Sequence, residues 1–184
     1  KETELAGLTD EISDVQDDVT FYEAEIQAQE ELIAEIKRLE AEKKAAGQTD
    51  NPYSGGAFTW PCPSSTRVTS DFGVRESPMA GASTNHRGID IGASYGSDIV
   101  AAADGTVKSA TYSSACGNYV MIDHGGGLYT VYMHASSLCV SAGDTVSAGD
   151  VIAKVGSTGI STGNHLHFGV SLNGSYVSPW SYFK

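Results

Sequence analysis

Apolar residues recur every seven positions from Leu5 (Leu5, Ile12, Val19, Ile26, Ile33, then Glu40) and from Leu8 (Leu8, Val15, Tyr22, then Gln29, Ile36, Lys43). Nine of these twelve positions are apolar, in the alternating three-and-four spacing of a coiled-coil seam. Asp and Glu fill the other faces. The pattern fades after Leu39 near Ala45-Ala46-Gly47 and predicts a long helix over residues 1–46. A lone helix cannot bury such a stripe, so the seam calls for a partner helix or for self-association.

Residues 47–58 carry Gly, Pro, Asn and Ser without periodicity and read as a flexible linker. From residue 59 to 184 the pattern changes to short β-like runs broken by glycine. Tyr119-Val120-Met121-Ile122-Asp123, the turn His124-Gly125-Gly126-Gly127 and Leu128-Tyr129-Thr130-Val131-Tyr132-Met133 form a predicted hairpin. Further strands are expected over 98–103, 106–110, 151–155 and 165–172. The echo of Ser141-Ala142-Gly143-Asp144 in Ser147-Ala148-Gly149-Asp150 reads as two successive Gly-Asp turns. The expected fold class is mainly β: a compact antiparallel domain preceded by a long α-helical coiled-coil segment.

Charge sharpens this division. The chain of 184 residues has a formal net charge of −12, of which residues 1–50 hold 15 acidic and 5 basic groups. The β region is nearly neutral. No basic cluster exists to neutralise phosphates, so a nucleic-acid partner is not expected. No apolar run reaches 18 residues, so no transmembrane segment is expected in this chain, and no secretion-signal pattern begins at Lys1. Cys62, Cys116 and Cys139 allow one disulfide. Cys116 and Cys139 flank the hairpin arms and are the pair expected to bridge in an exported protein; three separate thiols is the equal alternative.

The chemistry concentrates in the histidines. His165 and His167 alternate around Leu166, so on a strand both imidazoles face one side. His86 precedes Asp90 by four residues, and Tyr132-Met133-His134 closes the hairpin. Catalytic zinc takes three nitrogen or oxygen ligands and keeps one position for water. His86, Asp90 and one of the paired histidines meet that count, leaving the other and His134 for proton transfer.

His86-x-x-x-Asp90, His134 and His165-x-His167 resemble the lysostaphin-type (M23, LytM-domain) zinc metallopeptidases. Blocks in the same order extend the likeness over about residues 60–182: Val68-Thr69-Ser70-Asp71-Phe72-Gly73, Ala102-Ala103-Asp104-Gly105, Ile122-Asp123-His124-Gly125 and Gly156 through Phe168. The resemblance implies His86, Asp90 and His167 as ligands of one Zn²⁺ per chain, with His134 and His165 as catalytic histidines beside it. It implies an M23-like peptidase domain over 59–184, outside the cell or in its envelope, that acts on peptidoglycan. There zinc would polarise a scissile carbonyl and activate water for peptide-bond hydrolysis in wall stem peptides or cross-links. Coiled-coil-bearing relatives that activate other wall hydrolases supply the alternative, a non-catalytic regulator or adaptor. Some lysostaphin-like members carry a tyrosine shortly before the first zinc histidine; residues 77–85 here have none.

Overall fold

The computed structural model describes Glu23, residues 26–47, Tyr53, residues 55–74 and residues 85–184. The seam from Leu5 to Tyr22, half of the proposed linker and the stretch before Asn85 lie outside the described residues.

The helix α1 spans residues 26–45. The strands begin with β1 (Val68–Ser70), β2 (Gly73–Val74), β3 (Asn85–His86), β4 (Ile89–Gly92) and β5 (Asp98–Val100). The hairpin region follows as β6 (Gly105–Ser113), β7 (Gly117–Asp123), β8 (Leu128–Ala135) and β9 (Ser137–Leu138). β10 (Thr145–Val146), β11 (Val151–Lys154), β12 (His165–Leu172) and β13 (Ser175–Val177) complete the set. The main sheet runs β1-β4-β12-β8-β7-β6-β10, with β13 on β12. A three-stranded sheet, β5-β11-β9, is separate from it. Every pairing is antiparallel.

Strand alternation divides the core in two. Val120, Ile122, Tyr132, Leu166, Phe168 and Val170 join one buried cluster with Ile89, Ile91, Ile99 and Ile152. The intervening residues Tyr119, Met121, Tyr129, Val131 and Met133 join a second cluster, whose other wall is α1 through Ala28, Leu32 and Ile36. Thus the apolar stripe of the described helix is met by the domain's own sheet, where the sequence calls for a second helix. A flat apolar sheet face accepts an i, i+4, i+8 stripe as readily as a helix does. The buried positions also shift: Ala28 and Leu32 are buried, while Ile33 lies at the margin.

Polar groups fix the helix at its edges. Ser109 Oγ donates to Glu35 at 2.7 Å, and Lys43 pairs with Asp123 at 2.6 Å. Both members of the second pair are largely buried. Replacing Ile36, which is 0% exposed, by alanine is expected to cost about 2–5 kcal/mol. Urea unfolding measures this; a loss under about 0.5 kcal/mol, the range of a surface substitution, would contradict the packing of α1 on the sheet.

The fold bears on three other expectations. Phe58, assigned by composition to the linker, is buried and stacks on Tyr182 with ring centroids 4.8 Å apart. Its aromatic surface belongs to the domain core. Cys116 and Cys139 do not bridge: all three cysteines are free thiols, with Cys116 buried in the helix-facing cluster and Cys139 exposed. The predicted Gly-Asp turns form as a matched pair, Asp144 and Asp150 each accepting the amide three residues upstream at 2.8 Å. Gly143 and Gly149 hold φ of 96° and 91°, which only glycine adopts freely.

Candidate metal centre

Leu166 and Phe168 point into one core, so His165 and His167 emerge on the other face of β12, the face on which α1 also lies. The same alternation on β4 buries Ile89 and Ile91 and turns Asp90 toward the histidines. The β4–β12 register sets His167 opposite Asp90. His167 Nδ1 lies 2.9 Å from Asp90 Oδ1. β3 brings in His86, whose Nε2 lies 3.1 Å from His167 Nδ1 and 3.2 Å from Asp90 Oδ1. Gly88 makes this crossing feasible: a Cβ there would stand 2.7 Å from both His167 Nε2 and the Phe168 carbonyl.

Three donor atoms with mutual separations of 2.9–3.2 Å nearly reproduce an edge of a tetrahedron built on zinc, about 3.3 Å for bonds near 2.0–2.1 Å. Among the described residues this is the group of three His, Cys, Asp or Glu side chains close enough to hold a metal. The electrostatics agree. Burial alone would raise the Asp90 carboxyl, but its close contacts with the His167 and His86 rings hold it well below its ordinary range, so it is a carboxylate. His86 Nδ1–H donates to the Asp71 carbonyl at 2.8 Å, which leaves the Nε2 lone pair facing the other two donors. The donor set fits zinc.

His165 and His134 stand beside this group. His165 Nδ1–H donates to the Gly163 carbonyl at 2.8 Å, and its Nε2 lies 3.8 Å from Asp90 Oδ1. His134 reaches the site through a β-bulge: Ala135 pairs with Asn118 and Tyr132 with Val120, so Met133 and His134 together oppose Tyr119. The bulge sets His134 at φ 65°, an uncommon conformation for a residue with a side chain. Its ring stands 4.9 Å from that of His165 and 6.2 Å from that of His167. Nδ1–H donates to the Thr158 carbonyl at 2.9 Å. Burial, then the neighbouring His165 and His167, push its pKa down to about 3, so the imidazole is neutral and its Nε2 carries no proton. All five residues named from the sequence therefore converge. His124 lies elsewhere, its nitrogens bonded to the Asp104 carbonyl at 2.7 Å and Thr130 Oγ1 at 2.8 Å.

The sequence reading passed over the support for His86. Asp71 Oδ1 accepts both the Phe72 amide at 2.7 Å and the Trp180 indole N–H at 2.6 Å. Trp180 thereby pins the turn whose carbonyl orients His86. Trp180→Phe keeps an aromatic ring to stack on Trp60 but removes that N–H. The expected outcome is about tenfold weaker zinc binding in a chelator competition, the low end for loss of an outer partner. Unchanged affinity would remove Trp180 from the support of the site. Asp71 stands in a motif block and could have been singled out; the carbonyls of Asp71, Thr158 and Gly163 leave no mark in a sequence.

A cleft of about 700 Å³ opens beside Asp90 and His165, lined largely by Ser, Thr and Asn.

A sequence model of peptidase family M23 matches residues 84–179. The DD-carboxypeptidase/endopeptidase Mpg of Neisseria meningitidis is 42% identical over 116 residues, 63% of this chain and 27% of its own length. The murein hydrolase activator NlpD of Escherichia coli is 35% identical over 135 residues, 73% of this chain and 32% of its own. Among solved structures, a zinc-containing peptidase from Vibrio cholerae superposes with a TM-score of 0.63 at 32% identity, covering 67% of this chain and 39% of that one. The chain thus spans about a quarter to a third of the length of these curated relatives.

Proposed function

The chain belongs to peptidase family M23, and from that membership and its donor set we propose that it is a zinc-dependent peptidoglycan endopeptidase. The observation that carries the reading is the convergence of His86, Asp90 and His167 with two further imidazoles, those of His134 and His165. A purely structural zinc site is normally closed by four protein ligands. Three ligands flanked by proton acceptors fit a hydrolytic site.

In this reading His86, Asp90 and His167 hold one Zn²⁺. Zinc when bound supplies Lewis-acid polarisation of a carbonyl and a lowered water pKa. His134 Nε2 accepts a proton from the attacking water; the Thr158 carbonyl fixes the tautomer that makes this feasible. Once protonated, the same imidazole donates to the developing oxyanion or the leaving amine. His165, oriented by the Gly163 carbonyl, stands across from it and shares these duties. Peptidoglycan as substrate places the protein outside the cell or in its envelope. Among the described residues no helix is long and apolar enough to cross a membrane.

The relative named as a murein hydrolase activator favours a second reading, a regulator or adaptor that acts through other hydrolases. For that role the apolar seam from Leu5 to Tyr22 would take a partner helix or a second copy of the chain. The two readings part on a simple assay. Purified cell walls treated with the zinc-loaded chain alone should clear, stop clearing on chelation, and resume when zinc returns. Clearing that needs an added hydrolase would replace the endopeptidase reading with the regulatory one.

A further inference from the structure

The cleft beside the metal donors has one cationic wall. Asp90 and His165 line it together with polar side chains that include Ser94, Thr162 and Asn164. Among the described residues Arg67 is the one Lys or Arg that borders it. Its side chain is exposed, and among the described residues no carboxylate pairs with it.

The backbone that carries it is fixed. The Gly92 amide donates to the Arg67 carbonyl at 3.0 Å, Ser65 Oγ donates to the Gly92 carbonyl at 2.6 Å, and the Arg67 amide donates to Ser65 Oγ at 3.2 Å. These bonds anchor Arg67 beside Gly92, two residues along β4 from Asp90. At about 3.3 Å per strand residue, that backbone offset is roughly 7 Å, within reach of an extended arginine side chain.

Resting on the endopeptidase reading, we propose that this cleft is a substrate subsite in which Arg67 binds a peptide carboxylate near the scissile bond. A guanidinium pairs with a carboxylate through two parallel N–H···O bonds, so the site distinguishes an acid from its amide. The walls, more polar than apolar, offer donors and acceptors to a peptide backbone. The substrate class is therefore an acidic stem peptide, with amidated stems disfavoured.

The test uses the zinc-loaded full chain and two synthetic stem tripeptides, one with free carboxylates and one with every carboxyl amidated. A single stem contains no cross-link to cut, so binding is read by calorimetry without turnover. The wild-type chain should bind the acid about tenfold more tightly than the amide, a difference of about 1.4 kcal/mol. Arg67→Ala should erase that preference with zinc content intact, and Arg67→Lys should restore part of it. No preference in the wild-type chain, or a preference that survives in Arg67→Ala, would overturn the subsite. A chain that prefers the acid tripeptide yet never cuts cross-linked peptides would sink the endopeptidase reading and leave the subsite standing.

Discussion

His86→Ala and Asp90→Ala are each expected to lose bound zinc and, with it, all measurable peptide hydrolysis. Each variant deletes one of three donors that meet within 3.2 Å of one another, and the two that remain cannot define a tetrahedral site. Asp90 supplies the set's only negative charge. Asp90→Asn preserves the shape of that side chain and removes its charge, so it separates loss of metal from loss of fold. Elemental analysis after dialysis gives the stoichiometry, and circular dichroism checks the sheet. One equivalent of zinc retained by both alanine variants would reject the assignment.

His134 is expected to behave in the opposite way. It donates nothing to the trio, so a variant should keep its zinc while turnover falls by about 10²–10⁴-fold, the usual contribution of a general acid–base group. Asparagine is the better replacement than alanine, because it tolerates the left-handed backbone at φ 65° that the bulge imposes. Zinc content and kcat measured on the same His134→Asn preparation decide the matter. Near wild-type kcat in a folded, zinc-loaded variant would remove His134 from the mechanism. His165→Ala should lose turnover similarly, with weaker zinc binding as well, since its Nε2 approaches Asp90.

The candidate site was legible because its signals are local. His86 and Asp90 sit four residues apart and His165 and His167 two, and period-2 alternation suffices to turn both members of the second pair to one face. The hairpin was legible for the same reason, its glycine turn separating two alternating runs. What stayed hidden is contact between distant segments. Trp180 meets Asp71 across 109 residues of chain, and no periodicity encodes that meeting. The bulge that aims His134 is a matter of register: a regular strand would turn His134 away from the face that Met133 occupies. The helix shows the limit most plainly. Its seam reports that one face must be buried, not what buries it; Tyr119, Met121, Tyr129, Val131 and Met133 supply that surface from within the same domain. The acidic residues that fill the helix's other faces include Glu35, which accepts a hydrogen bond from Ser109 on β6.

The central claim is that this chain itself cuts peptide bonds in the cell wall, and it is tested most directly by digesting cross-linked muropeptides in ¹⁸O-labelled water. Hydrolysis splits an amide and places one solvent oxygen in the new carboxyl group. The zinc-loaded chain should yield fragments that sum to the parent plus one labelled water, at a position that identifies the bond, and the His134→Asn chain should yield almost none. Intact muropeptides after prolonged incubation with a chain that carries its full equivalent of zinc would contradict the account.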